Sequence, residues 1–190
     1  MKLTERSVHD VLAAFRSSEP TPGGGSASAL SGALGASLLA MVAGLPKPAA
    51  STAEDLAQLE SAGENCVSLA LRLEELIDRD SRAYDEVMAA YRLPKATDDE
   101  KAARAGAIQA ALRSATEAPL DVMRACTEAL AEGSVIERLG NSSASSDVAV
   151  GLELLRAGRR GAQLNVEINL PSLKDPSYVE NVRREVQELS

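Results

Sequence analysis

Between residues 52 and 93 the chain contains no proline, and its apolar residues recur at alternating steps of three and four. This spacing predicts one long helix with a continuous apolar face. The face combines small, aliphatic and aromatic residues with a single acid: Leu56, Leu59, Gly63, Cys66, Ala70, Leu73, Ile77, Asp80, Tyr84, Val87 and Tyr91.

Asp80 is the only charged residue on that face. A carboxylate on a core-facing line costs free energy unless it is paired or hydrogen-bonded, and such positions are where pKa shifts arise. We interpret Asp80 as a candidate acid–base group at the wall of a pocket. A structural aspartate, satisfied by a neighbouring helix or an arginine, is the alternative that the residues leave open.

Residues 20–46 carry no charge, and the run is long enough to span a bilayer. Its Ala, Gly and Ser content and its three prolines favour a helix buried on all sides in a soluble protein. Small side chains recur along it at a spacing of four, which lets two helix backbones approach closely: Ser28, Gly32, Ala36 and Ala40. We expect the helix to pack against another helix, in the same chain or in a second copy.

The start of that helix is a glycine-rich turn with the sequence Thr21-Pro22-Gly23-Gly24-Gly25-Ser26. It offers a cap residue, a proline suited to a first turn and unusually accessible backbone amides. Free amides at a helix N-terminus attract anions. A contact to an anionic ligand group and a flexible loop before a tightly packed helix are equally supported.

A second long helix is predicted to begin at the capping box Thr97–Glu100, with an apolar stripe that continues to Leu130. Pro119 lies inside that stripe and is expected to kink or interrupt the helix. Lys95 lies in the turn before it, where a solvated lysine is the default interpretation.

The segment from Gly140 to Asp147 is rich in N-cap residues and predicts the start of another helix. Asp147 is either a first-turn acid favoured by the helix dipole or a residue lining the same pocket as Asp80. Residues 164–170 alternate strictly between apolar and polar, which is typical of a strand, yet the chain offers no second strong strand to pair with it. A last amphipathic helix follows Asp175-Pro176.

The composition supports an all-α bundle of about five to seven helices, some of them long. Alanine occurs 33 times, strand-forming residues are scarce, and there are only four aromatic residues. Stacking platforms for single-stranded nucleic acid are therefore lacking. A net charge of −8 argues against binding to phosphate backbones, so we expect no nucleic-acid partner.

One histidine, His9, and two cysteines are too few for an ordinary structural zinc site, so no metal is predicted. Cys66 and Cys126 are 60 residues apart, and no charged-then-apolar signal segment opens the chain. We expect a cytoplasmic protein with two buried, reduced thiols and no membrane partner.

The motifs, taken in order, resemble the cyclodeaminase domain of the formiminotransferase-cyclodeaminase family, as a stand-alone protein. The resemblance rests on Pro20-Thr21-Pro22-Gly23-Gly24-Gly25-Ser26, Asp80 with Ala83-Tyr84, Leu93-Pro94-Lys95, Gly140-Asn141 with Ser146-Asp147, and Asn165-Val166 with Ile168-Asn169-Leu170. Some members of that family are called methenyltetrahydrofolate cyclohydrolases. The resemblance covers nearly the whole chain and is weakest over residues 48–70.

The resemblance implies a single helical domain over residues 1–190, an obligate-type homodimer and a tetrahydrofolate ligand with no further cofactor. It also implies a helix over residues 164–170, against the alternation. It assigns catalysis to Asp80 and Asp147. The expected substrate-binding residues are Thr21, Pro22, Gly23, Gly24, Gly25, Ser26, Tyr84, Lys95, Asn141 and Asn165.

The activity implied is cyclisation of 5-formiminotetrahydrofolate to 5,10-methenyltetrahydrofolate with loss of ammonia. Hydrolysis of the methenyl form to 10-formyltetrahydrofolate, or folate binding without catalysis, are the alternatives. Asp80 is predicted to move the protons, with a pKa raised by its apolar surroundings and lowered by Lys95. Lys95, Arg159 and Arg160 are candidates for holding an anionic polyglutamate tail.

Overall fold

The computed structural model describes residues 2–46 and 51–190. Six α-helices are found in these ranges: α1 (Val8–Phe15), α2 (Gly24–Gly44), α3 (Ala53–Tyr91), α4 (Asp98–Leu139), α5 (Ser145–Asn169) and α6 (Pro176–Leu189). Three single turns of 3-10 helix lie at Leu3–Glu5, Ser142–Ala144 and Leu170–Ser172. The described residues contain no strand, which confirms the all-α prediction and its number of helices.

Two helices begin where their capping residues predict, whereas α2 begins at Gly24 with Gly23 as its N-cap, so the expected cap at Thr21 is wrong. Thr97 accepts from the backbone N–H of Glu100, and the Glu100 carboxylate accepts from the N–H of Thr97, so the predicted capping box forms. Asp175 caps α6 by accepting from the N–H groups of Ser177 and Tyr178. Local hydrogen bonding thus sets where these two helices start.

The central helix α2 packs between α3 and α5, and its small residues allow that packing. A Cβ on Gly158 of α5 would lie 2.8 Å from the Ser28 carbonyl oxygen, and a Cβ on Gly35 would lie 2.6 Å from the Gly151 carbonyl oxygen. The partner of the small-residue line is therefore a helix of the same chain.

One side of α2 stays uncovered, so the expectation of a helix buried on all sides is wrong for a single chain. Leu34 and Met41 are about half exposed on that side. Among the described residues, α2 alone is long and apolar enough to cross a bilayer by length and composition, and half of its most apolar stretch is buried.

Pro119 does not interrupt α4, which runs unbroken from Asp98 to Leu139, so the expected interruption is wrong. Because proline has no N–H, the carbonyl of Ala115 loses its usual helical partner. The Asn169 side chain supplies the replacement, since its Nδ2 donates to the Ala115 oxygen at 2.9 Å. A side chain from α5 therefore repairs the defect that proline creates in α4.

Residues 164–169 belong to α5, so the helix implied by the resemblance is confirmed and the strand pattern is misleading. Val166 and Leu170 are buried, whereas Leu164 and Ile168 face outward. Each pair is spaced by four residues, as expected on one face of a helix. Because the two apolar faces are offset by two residues, together they give the alternating pattern of a strand.

Cys66 and Cys126 are both buried and unpaired. Burial raises the pKa of each thiol to about 12, which keeps both of them protonated. The prediction of two buried, reduced thiols is confirmed.

Candidate active site

Asp80 lies on α3 against the first turn of α2. The Ser26 N–H donates to Asp80 Oδ2 at 2.9 Å, and the Ser26 hydroxyl lies 3.1 Å from the same oxygen. That hydroxyl also lies 2.8 Å from the Ile77 carbonyl oxygen and 3.2 Å from Ser81 Oγ. The Ser26 N–H lies in the first turn of α2 and has no carbonyl partner within that helix, so the Asp80 carboxylate supplies its acceptor. No described residue donates to Asp80 Oδ1.

Gly25 is what allows the carboxylate to come so close to α2. A Cβ at this position would lie 2.0 Å from Asp80 Oδ1, well inside any permitted contact. A Cβ on Gly24 would lie 3.2 Å from Asn165 Nδ2. The glycines therefore give two side chains of the same protein room to approach the backbone, a role that the two sequence interpretations of the turn did not include.

A cavity of about 310 Å³ opens beside this carboxylate, at the lower end of the range for small-molecule sites. Six predicted site residues line it: Thr21, Gly23, Gly24, Asp80, Tyr84 and Asn165. Six further residues complete the wall: Pro20, Val87, Leu112, Ala115, Ile168 and Asn169. Gly25 and Ser26 are buried behind Asp80 rather than at the cavity surface.

Two asparagine amides are fixed at the cavity wall. Asn165 Nδ2 donates to the Gly161 carbonyl at 2.8 Å, and Asn169 Nδ2 donates to the Ala115 carbonyl that Pro119 leaves free. Each amide is thereby oriented, and its Oδ1 remains available as an acceptor for a ligand. Asn169 is absent from the predicted site. Pro119 and Asn169 were visible in the sequence, but their pairing across two helices was not.

The pKa of Asp80 is raised above its ordinary value, in the direction that its apolar stripe predicts. Burial is the main cause, and the hydrogen bonds from the Ser26 side chain and backbone act in the opposite direction. Lys95 was expected to provide the opposing effect, but it is exposed in the turn after α3 and does not line the cavity.

Asp147 and Asn141 lie at the other end of the molecule. Asp147 is in the first turn of α5, and Asn165 is 18 residues further along, about 27 Å at 1.5 Å per residue. The side chain of Asn141 donates to the Pro46 carbonyl at 3.0 Å and accepts from the Ser143 N–H at 2.9 Å. Within one chain, the expectation that Asp147 and Asp80 share a pocket is therefore wrong, because their common helical face spans the whole bundle.

No lysine or arginine lines the cavity in the described part of the chain, and Arg159 and Arg160 lie elsewhere on α5. Residues 2–46 and 51–190 contain no group of three or more His, Cys, Asp or Glu side chains arranged to hold a metal ion. The sequence also gave no warning of Asp78, a buried acid that accepts from the Leu3 N–H at 2.7 Å and from Thr4 Oγ1 at 3.1 Å.

Known proteins provide an independent comparison. Residues 7–188 match the sequence model of the family described as Formiminotransferase-cyclodeaminase. The chain belongs to this family. A formiminotetrahydrofolate cyclodeaminase from Thermotoga maritima has the same fold, with a TM-score of 0.87 and 26% identity over 99% of this chain and 90% of that one.

Two relatives show different forms of the formiminotransferase-cyclodeaminase family. A methenyltetrahydrofolate cyclohydrolase from Methylorubrum extorquens is 40% identical over 183 residues, which is 96% of this chain and 88% of that protein. A formimidoyltransferase-cyclodeaminase from Gallus gallus is 35% identical over 161 residues, which is 83% of this chain and 29% of that protein. The chain thus spans nearly all of the first relative and less than a third of the second.

Proposed function

We propose that the protein is a folate one-carbon enzyme that closes 5-formiminotetrahydrofolate to 5,10-methenyltetrahydrofolate and releases ammonia. The observation that carries the proposal is Asp80, a largely buried carboxylate at a cavity wall. Its Oδ2 is anchored by the Ser26 N–H, and its Oδ1 has no donor among the described residues. One oxygen fixes the orientation, and the other is available for proton transfer.

In the proposed reaction, N10 attacks the formimino carbon, which forms the N10–C bond. The formimino group enters as its protonated amidinium, Asp80 accepts the N10 proton and returns it to the formimino nitrogen, and the bond between that nitrogen and the formimino carbon breaks. Ammonia leaves, and the product is the 5,10-methenyl cation. The raised pKa of Asp80 lies closer to neutral pH than that of an ordinary aspartate, which suits a group that must both accept and donate a proton. The oriented acceptors of Asn165 and Asn169 would receive hydrogen bonds from N–H groups of the pterin ring.

Hydrolysis of 5,10-methenyltetrahydrofolate is a second candidate, favoured by the cyclohydrolase relative, whose length this chain nearly spans. In that reaction Asp80 would take a proton from the water that attacks the methenyl carbon and return it to N5 as the C–N5 bond breaks. The hydroxyl proton of the adduct passes to solvent, and the product would be 10-formyltetrahydrofolate. A single carboxylate in a single cavity serves either reaction, so the substrate must be decided by assay.

We also propose that the protein acts as a cytoplasmic homodimer and needs no cofactor beyond the folate. The uncharged outer side of α2, which leaves Leu34 and Met41 half exposed, supports a contact between copies. Lys95, Arg159 and Arg160 stay candidates for a polyglutamate tail outside the cavity.

The test is turnover of each folate by the purified protein, followed by absorbance of the methenyl form. Formation of the methenyl form from 5-formiminotetrahydrofolate supports the first reaction. Consumption of added 5,10-methenyltetrahydrofolate, with no turnover of 5-formiminotetrahydrofolate, supports the second. Saturable folate binding with no turnover of either compound would replace both reactions with a binding function.

A further inference from the structure

The outward face of α5 carries a seven-residue repeat that begins at Asp147. Its positions alternate at steps of three and four, as in the contact seam of a coiled coil: Val150, Leu154, Ala157, Gly161, Leu164 and Ile168. The exposed fractions are 52% for Val150, 51% for Leu164 and 75% for Ile168. The seam borders the face that α5 packs against α2, since Gly161 lies against the Ser28 side chain of α2, and its exposed members lie on the outward side.

The seam continues onto the uncovered side of α2. The Ser31 hydroxyl of α2 donates to the Leu154 carbonyl at 2.8 Å, so the two outer faces adjoin. Leu34 of α2 is 52% exposed, and α2 carries no charged residue. A contiguous apolar surface across two helices is typical of a protein–protein contact in a soluble protein.

Charges beside the seam indicate that the partner is a second copy in antiparallel orientation. Glu153 and Arg160 lie seven residues apart on the same flank of α5, and both are exposed. An antiparallel pair centred near Ala157 sets Glu153 of each copy opposite the partner's Arg160. A parallel pair would instead bring this flank against the opposite flank of the partner helix, where Gly151 and Gly158 lie, and would leave Glu153 and Arg160 without an opposite charge on the partner. Glu153 already pairs with Arg156 at 2.6 Å, so the partner's guanidinium would extend this ion pair.

This pairing has a direct consequence for the cavity. Asp147 and Ile168 lie on either side of Ala157, 10 and 11 residues away, which is about 15–17 Å along the helix. Antiparallel pairing about that residue brings the partner's Asp147 beside Ile168, which lines the Asp80 cavity. Within one chain Asp147 lies about 27 Å along α5 from the cavity residue Asn165, but the partner's Asp147 lies next to that cavity.

We propose that α5 pairs antiparallel with α5 of a second copy, and that the partner's Asp147 completes the folate cavity that Asp80 begins. The inference rests on the proposed function and adds its second carboxylate. The partner's Asp147 is a substrate-binding residue here: at the cavity mouth it accepts hydrogen bonds from donors on the bound folate, while Asp80 moves the protons.

Subunit complementation tests the shared site. We expect Asp80→Asn and Asp147→Asn each to be largely inactive alone, because every site in either dimer lacks one carboxylate. Co-expression in equal amounts makes half of the dimers mixed, and each mixed dimer holds one intact site, so about one quarter of wild-type activity returns. No recovery in verified mixed dimers would overturn the proposal, because a site within one chain is damaged in both subunits.

Cysteine cross-linking tests the register independently of activity. Ala157→Cys is expected to form a disulfide between two copies on mild oxidation, because residue 157 faces its own counterpart. Ala149→Cys is the matched control, since it is exposed on α5 but off the seam, and it should stay uncross-linked. Equal cross-linking of both variants, or none of Ala157→Cys, would overturn the pairing.

These outcomes are separable from failure of the proposed function. If wild type turns over 5-formiminotetrahydrofolate or the methenyl form but Asp147→Asn keeps full activity, the shared site is wrong and the enzyme assignment stands. If wild type turns over neither folate, the enzyme assignment fails, and cross-linking at residue 157 still decides the pairing.

Discussion

Replacing Gly25 with alanine is the sharpest structural test of the Asp80 site. The new Cβ would lie 2.0 Å from Asp80 Oδ1, whereas ordinary contacts begin near 3.4 Å, so the two atoms must separate by about 1.4 Å. Asp80 cannot simply move away, because the adjacent Ser26 N–H anchors its Oδ2. A displacement of this size breaks that hydrogen bond and misplaces the proton-transferring oxygen.

The magnitude follows from those two effects. Overpacking costs about 1–3 kcal/mol, and losing a charge-assisted hydrogen bond costs about 1.5–3 kcal/mol, so we expect Gly25→Ala to destabilise the fold by about 2.5–6 kcal/mol. A misplacement of about 1 Å at a catalytic group lowers kcat about 100-fold. Urea unfolding and the methenyl absorbance assay measure the two losses.

Gly106→Ala is the matched control, because nothing lies within 4 Å of the added Cβ in the middle of α4. It should raise the free energy of unfolding by up to about 1 kcal/mol and leave kcat unchanged. In an Asp80→Ala background the cost of Gly25→Ala should shrink, since the clashing carboxylate is gone. If Gly25→Ala matched wild type in both assays, the close contact between α2 and Asp80 would be refuted.

Three further predictions follow from the same structure. Burial raises the pKa of Asp80, so the free energy of unfolding falls as pH rises from the ordinary aspartate pKa through that raised pKa. Asp80→Asn should remove this fall when urea unfolding is measured across that pH range. An unchanged pH profile in Asp80→Asn would contradict the raised pKa. Pro119→Ala restores an N–H to α4, so the Ala115 carbonyl no longer needs the Asn169 side chain, which loses its fixed orientation. Pro119→Ala and Asn169→Ala should therefore each raise KM more than they change kcat. Unaltered KM values in steady-state kinetics would refute the pairing of Pro119 with Asn169. With their pKa raised to about 12, Cys66 and Cys126 should react with a thiol reagent slowly in the native protein and rapidly in urea, and fast native labelling would oppose their burial.

The sequence predicts the features that local chemistry determines. The step of three and four along α3 identifies Asp80 as the one acid on a core-facing line, and the structure places it at a cavity. The Thr97 capping box forms as expected, because its hydrogen bonds join residues three apart. Periodicity and capping depend only on near neighbours, so one chain read in order is sufficient.

The features that escaped prediction depend on contacts between helices. The repair of Pro119 by Asn169 joins α4 to α5, and only the packed fold reveals it. The close approach of Gly25 to Asp80 has the same origin, since the glycine run alone does not say what approaches it. For Asp147, a shared helical face does not mean a shared pocket, because a face that runs along a 25-residue helix reaches both ends of the bundle.

The central claim is that Asp80 transfers the protons in folate cyclisation. The most direct measurement is the pH dependence of kcat/KM for methenyltetrahydrofolate formation by wild type and by Asp80→Asn, with an unfolding curve for each. The account predicts an apparent pKa in wild type above the ordinary aspartate value, and a loss of about 100-fold or more in a folded Asp80→Asn protein. A folded Asp80→Asn enzyme with near-full activity and the wild-type pH profile would contradict it.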